Sequence, residues 1–91
     1  AQTSGTNNTD AKFTSAMEAN LKILDSATTP GTYIALANSF ERIGEADKKN
    51  WQPYYYAALC YAYMAVNVQD KAKIDPLIAK ADEYLKKAIL L

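Results

Sequence analysis

One cysteine, Cys60, and no histidine among 91 residues leave little from which to assemble a reactive centre. A Ser–His or Cys–His nucleophilic pair needs an imidazole to take the proton, and the sequence contains none. Cys60 sits inside an apolar run with no basic neighbour to lower its pKa, so the expected state is a buried, inert thiol. A structural zinc site needs several soft ligands that one thiol cannot supply, and a lone cysteine cannot close an internal disulfide. The carboxylates are scattered, with no pair on a shared apolar face to serve as acid and base. Gly5, Gly31 and Gly44 are isolated, so no glycine-rich loop cradles a phosphate. The expectation is a protein that is not an enzyme and carries no metal and no cofactor.

Charge narrows the partners. Ten basic and ten acidic side chains cancel. Lys48-Lys49 and Lys86-Lys87 are short pairs with acidic residues nearby, too sparse to neutralise a row of phosphates, so a nucleic-acid partner is not expected. Seven tyrosines stand against two phenylalanines and one tryptophan, a choice that suits partly wet contact surfaces, because the ring is apolar and its tip polar.

The elements that would position these side chains follow from periodicity. Residues 1–9 are small and polar and read as a flexible arm ahead of a single domain over 10–91. A start at Ala1 followed by a polar spacer resembles the mature end left by signal-peptide cleavage. It suggests an exported bacterial protein, with the cytoplasm as the alternative. From Asp10, a plausible N-cap, Phe13, Ala16, Met17, Leu21 and Leu24 recur on one helical face, giving a first helix of about 10–26. Thr29-Pro30 caps and opens a second helix over 30–46, with Tyr33, Leu36, Ala37, Phe40, Ile43 and Gly44 on one face.

A third helix over 51–67 is apolar on nearly all sides from Pro53 to Val66. Fourteen residues holding five tyrosines are too short and too polar at the ring tips to span a membrane, so this helix is expected to lie between neighbours. Asp75-Pro76 repeats the cap-then-proline pattern and predicts a fourth helix over 75–91 after a linker at 67–75; the alternative is a helix starting near Asp70 with Pro76 inside it. Asp82/Lys86 and Glu83/Lys87 have the spacing of i,i+4 ion pairs. The abrupt apolar end, Ile89-Leu90-Leu91, suggests a longer parent protein.

Two hairpins of similar size invite a search for internal similarity. Tyr54, Ala57, Ala58 and Tyr61 follow the first-helix pattern of a tetratricopeptide repeat, and Ala81, Leu85 and Ala88 follow its second-helix pattern. Leu36, Phe40 and Ile43 repeat that second-helix spacing one unit earlier. The chain thus resembles a tetratricopeptide-repeat domain, with the specific matches confined to residues 36–91. The interval from Ala58 to Ala81 is about eleven residues longer than the family's. The resemblance implies an all-α fold: two antiparallel helix–turn–helix hairpins, four helices in all, stacked as a short right-handed superhelix, an α-solenoid. The competing architecture is an unrelated four-helix bundle with alanine-rich seams.

The same resemblance implies a scaffold that binds a peptide or a partner helix in a groove lined by the first helix of each hairpin. With Tyr54, Ala57, Ala58 and Tyr61 facing inward, Gln52, Tyr55, Leu59 and Tyr63 become the candidate partner-binding residues, the last three forming a ridge at four-residue steps. The alternative is a structural assembly module that self-associates, or docks on the rest of a longer repeat protein, through uncapped apolar ends.

Overall fold

The computed structural model describes residues 4–91, with side chains from Ala11 onward. They form four α-helices, α1 (Ser4–Ser26), α2 (Pro30–Ala46), α3 (Gln52–Val66) and α4 (Lys71–Ile89), and no strand among the described residues. The fold class is all-α. None of these helices is long and apolar enough to cross a membrane.

Helix boundaries follow from caps. Thr29 is extended (φ −113°, ψ 149°), its hydroxyl oxygen accepts the Thr32 N–H at 3.3 Å, and Pro30 occupies the first helical position. α3 starts without a side-chain cap, because Trp51 holds the cap position and its indole offers no acceptor; Asn50, one residue earlier, donates to Asp47 Oδ2 at 2.6 Å and ties down the connecting loop. That loop contains Lys48 at φ 27°, a left-handed conformation that side chains with a Cβ rarely adopt.

Two boundaries differ from the sequence expectation. α1 begins at Ser4, so Asp10 lies inside the helix and residues 4–9 are helical, not an arm; residues 1–3 lie outside the described residues. Adding turns to an existing helix costs far less than nucleating one, and this stretch contains no proline to stop it. α4 begins at Lys71, so Pro76 lies within the helix and the connection from α3 shrinks to residues 67–70. Asp70 performs the capping expected of Asp75: its Oδ1 accepts the Ala72 N–H at 3.0 Å, and its carbonyl accepts from Lys73 and Ile74. Pro76 withholds a hydrogen bond from the Ala72 carbonyl. Ala72 and Pro76 are both exposed, so the missing bond falls on the solvent side of the helix, where it costs least.

Short connections make sequential helices neighbours, and each packs against the next. Tyr33 meets Tyr63, Phe40 meets Tyr56 and Gly44 meets Tyr54, a descending series that fixes α2 and α3 as antiparallel. Gly44 allows the closest approach. A Cβ there would lie 2.8 Å from Cζ of Tyr54, so the ring occupies the space a larger residue would need.

α3 is the central element. It buries Pro53, Tyr54, Ala57, Ala58, Cys60, Met64 and Ala65 because α2 flanks one side and α4 another, which explains its nearly unbroken apolar sequence. Its alanines let the neighbouring backbones come close, and Phe40 and Tyr84, both essentially inaccessible, fill the spaces opposite. The chain is only 13 Å deep along its thinnest axis, so many of its apolar residues remain half-buried.

Candidate partner-binding groove

Among the described residues of α1, only Met17 is buried; Phe13, Leu21 and Leu24 are half-buried against the core. α1 touches the rest of the chain mainly through α2 and stands away from α3. An open groove of about 1140 Å³ occupies the space between them. Leu21 and Leu24 from α1, Ala27 from the α1–α2 connection, Tyr33 from α2, and Tyr56 and Leu59 from α3 form its half-buried apolar interior. Ser15, Glu18, Lys22 and Asp25 from α1, together with Tyr63 from α3, form an exposed and mostly polar rim.

The groove is held in shape by specific contacts. The Tyr33 hydroxyl donates to the Ala27 carbonyl at 3.0 Å, which locks the ring across the end of the groove. Tyr63 packs on Tyr33 with ring centroids 5.8 Å apart, and the Tyr63 carbonyl accepts from Asn67 Nδ2 at 2.9 Å. Glu18, Lys22 and Asp25 share one face of α1 at i, i+4 and i+7, yet none makes an ion pair among the described residues. Their charges remain available to a ligand.

The structure divides the four candidate partner-binding residues. Leu59 and Tyr63 line the groove, whereas Gln52 and Tyr55 do not. Tyr55, 39% exposed, lies edge-on between Trp51 and Tyr56 at 5.8 and 5.3 Å. Gln52 is half-buried, and its side-chain oxygen is enclosed without a hydrogen-bond partner among the described residues. Steps of four residues drift around a helix by about 40° each, so Tyr55 sits about 80° away from Tyr63. The residue that shares the face is Tyr56, at the 3-then-4 spacing 56, 59, 63. That spacing was the signal in the sequence, and the four-residue ridge obscured it.

The repeat-packing candidates separate similarly. Leu36, Phe40, Tyr54, Ala57, Ala58 and Ala81 are buried, and Ile43, Tyr61 and Ala88 are half-buried against the core. Leu85 is a correction: it is 40% exposed, and Tyr84, one position earlier and 1% exposed, fills the interior.

Tyr84 also anchors a polar cluster that the sequence did not reveal. Its hydroxyl donates to Glu41 Oε1 at 2.7 Å, and Lys87 Nζ donates to Glu41 Oε2 at 3.2 Å. Lys87 lies over the rings of Tyr84 and Tyr54, and Tyr61 stacks on Tyr84 at 5.9 Å. The Tyr84 hydrogen bond, outweighing desolvation and assisted by Lys87, holds the Glu41 carboxyl below its ordinary value. Burial, and then the same hydrogen bond, push the Tyr84 phenol up. Burial opposes the charge on Lys87, but the contact with Glu41 outweighs it and raises that pKa. Lys87 therefore bridges to α2 and does not pair with Glu83, which meets Lys80 at 3.8 Å instead; Asp82 and Lys86 do pair, at 3.2 Å.

Cys60 is fully buried, and desolvation pushes its thiol up to about 11, far from the thiolate that nucleophilic or redox chemistry needs. No family model, curated protein or solved structure matches this chain.

Proposed function

We propose that this chain is a non-catalytic interaction module that holds a short segment of a partner protein, extended or helical, in the groove between α1 and α3. The supporting observation is the groove itself: half-buried leucines and tyrosines, fixed in place by packing, beside three rim charges that make no ion pair among the described residues. Rigid aromatic and aliphatic anchors surrounded by polar groups are what recognition of a peptide segment requires. A groove lined by the first helix of each hairpin is also what a short tetratricopeptide-like solenoid would present, so the repeat reading and the binding reading support each other.

A peptide library displayed on phage and selected against the 91-residue protein tests this reading. Selected peptides should carry apolar anchors, and Leu59→Asp combined with Tyr63→Ala should weaken their binding at least tenfold without changing the helical circular-dichroism signal. Peptides that bind the double variant as well as the unmodified protein would place recognition elsewhere.

A second reading, a module that assembles through uncapped apolar ends, is favoured by one observation. One flank of α4, beside the face that Ala81 and Tyr84 bury, leaves Ile78 50%, Leu85 40% and Ile89 80% exposed.

A further inference from the structure

The groove between α1 and α3 has two unlike walls. The α3 wall is uncharged, since no acidic or basic residue lies between Gln52 and Val66. Its open face carries Tyr56, Leu59 and Tyr63 at steps of three and four, and Val66, 80% exposed, continues the row beyond the groove. All the charges of the groove stand on α1. Glu18, Leu21 and Asp25 fall at i, i+3 and i+7, within a sector of about 60° at ~100° per residue, and Lys22 lies about 40° beyond Glu18, towards the lip. Phe13 and Ala16 share a small apolar pocket with Ile43 and Ala46, whereas Leu24 and Ala27 share the groove with Tyr33, so α1 is antiparallel to α2 and runs parallel to α3. The two rows therefore lie side by side, and each spans about 10.5 Å of helix axis.

We propose that the occupant of this groove is an amphipathic α-helix of a partner protein, its apolar stripe on Leu21, Tyr56, Leu59 and Tyr63 and its basic side chains at i and i+7 against Glu18 and Asp25. Rows at three- and four-residue steps on both walls are what a third helix lying along them packs into. A helix with its side chains is about 10–12 Å across, so a groove of about 1140 Å³ has room for about two of its turns. Two turns is also the distance from Glu18 to Asp25. An extended segment fits poorly. Side chains on one face of a strand recur about every 6.6 Å, so a pair of them falls ~6.6 or ~13 Å apart, and neither matches ~10.5 Å. Such a segment would also bring unpaired N–H and C=O groups, which a sheet edge satisfies and helical walls do not, and no Asn or Gln lines the groove to substitute. A helix satisfies its own. The α1 wall sets the charge: two carboxylates against one ammonium, none of them in an ion pair among the described residues. Lys22, between the two acids along the axis, repels a third basic residue there, so the groove selects an order of charges and not positive charge in bulk.

The proposal rests on the groove reading and adds the form and the charge order of the occupant. The probes are three labelled synthetic peptides of about 14 residues, each with a leucine row at three- and four-residue steps and a side-chain bridge on the outer face to hold the helix. The first carries lysine at two positions seven apart beside the leucines, the second glutamate at the same positions, and the third is the first with two central prolines. Fluorescence anisotropy with the whole chain should show the lysine peptide binding about tenfold tighter than the glutamate peptide. The proline peptide should lose that binding, because proline breaks the helix interior. Glu18→Lys/Asp25→Lys should reverse the order of the first two, with the helical circular-dichroism signal unchanged, since both positions are exposed. Equal binding of the lysine and glutamate peptides, or no reversal in the variant, would overturn the proposal. So would a proline peptide that binds as tightly as the first, or peptides selected on phage that occupy the groove while none of the three does; either result retains the groove. Binding of every peptide unchanged by Leu59→Asp/Tyr63→Ala would overturn the groove reading and the proposal together.

Discussion

The first and second hairpins are unequal. α3 commits seven residues to the interior, locks against α2 through Gly44 and Tyr54, and joins α4 through Tyr61 and Tyr84. α1, although the longest helix, commits Met17 alone among its described residues and leaves Leu21 and Leu24 half-covered. The α2–α3–α4 seam holds most of the interior, and the incompletely covered flank of α1 leaves the surface that the proposed partner segment would complete. Segments that bind are drawn from the less tightly held part of a fold, because full burial leaves nothing to offer a ligand.

The most severe way to break this comparison is at the seam. Phe40→Ala removes an inaccessible ring and should cost about 3–5 kcal/mol, enough to unfold most of a domain this small. Met17→Ala should cost about 2 kcal/mol, the lower end for a buried methionine, because α1 can settle onto the vacancy. Denaturant midpoints of the two variants measure the difference, and equal losses would erase the distinction between the halves.

The Glu41–Tyr84–Lys87 cluster allows a second test by pH. Glu41 is depressed when folded, so its contribution is present above the unfolded value of 4.5 and is lost as pH falls through the lower folded value. Tyr84 and Lys87 are raised when folded, so their contributions are present below the unfolded values of 10.0 and 10.5 and are lost as pH rises toward the folded ones. Thermal melts from pH 7 down to 2 should show a smaller acid-induced fall in Glu41→Gln than in the unmodified protein. A parallel fall would remove the cluster from the account of stability.

The smallest effect concerns the joint between the halves. Lys48, at φ 27°, carries a Cβ in a conformation that suits glycine, and Lys48→Gly should raise stability by about 0.5–1 kcal/mol. A loss on that substitution would mean that the lysine side chain contributes more than the backbone strain removes.

Helix identity was legible because apolar spacing and the Thr29-Pro30 signal are local. What the sequence concealed was local competition and distant partnership. Asp70 and Asp75 offer the same cap chemistry five residues apart, and the earlier one prevails because it adds a turn with a half-buried Ile74. The choice between Tyr84 and Leu85 is a rotation of about 100°, decided by Glu41, a partner 43 residues away that no periodicity encodes. In the groove, Leu59 and Tyr63 could be read from α3 alone. Tyr56 was displaced from view by Tyr55, and the α1 wall required knowledge of how far α1 stands from α3.

The central claim is that the space between α1 and α3 receives a partner segment. Titrating a selected peptide into isotopically labelled protein and following amide and side-chain shifts by NMR tests it most directly. Saturable changes centred on Leu21, Leu24, Tyr56, Leu59 and Tyr63 are expected, with α4 unaffected. Changes centred on Trp51 and Tyr55, or on Ile78 and Leu85 of α4, would contradict it.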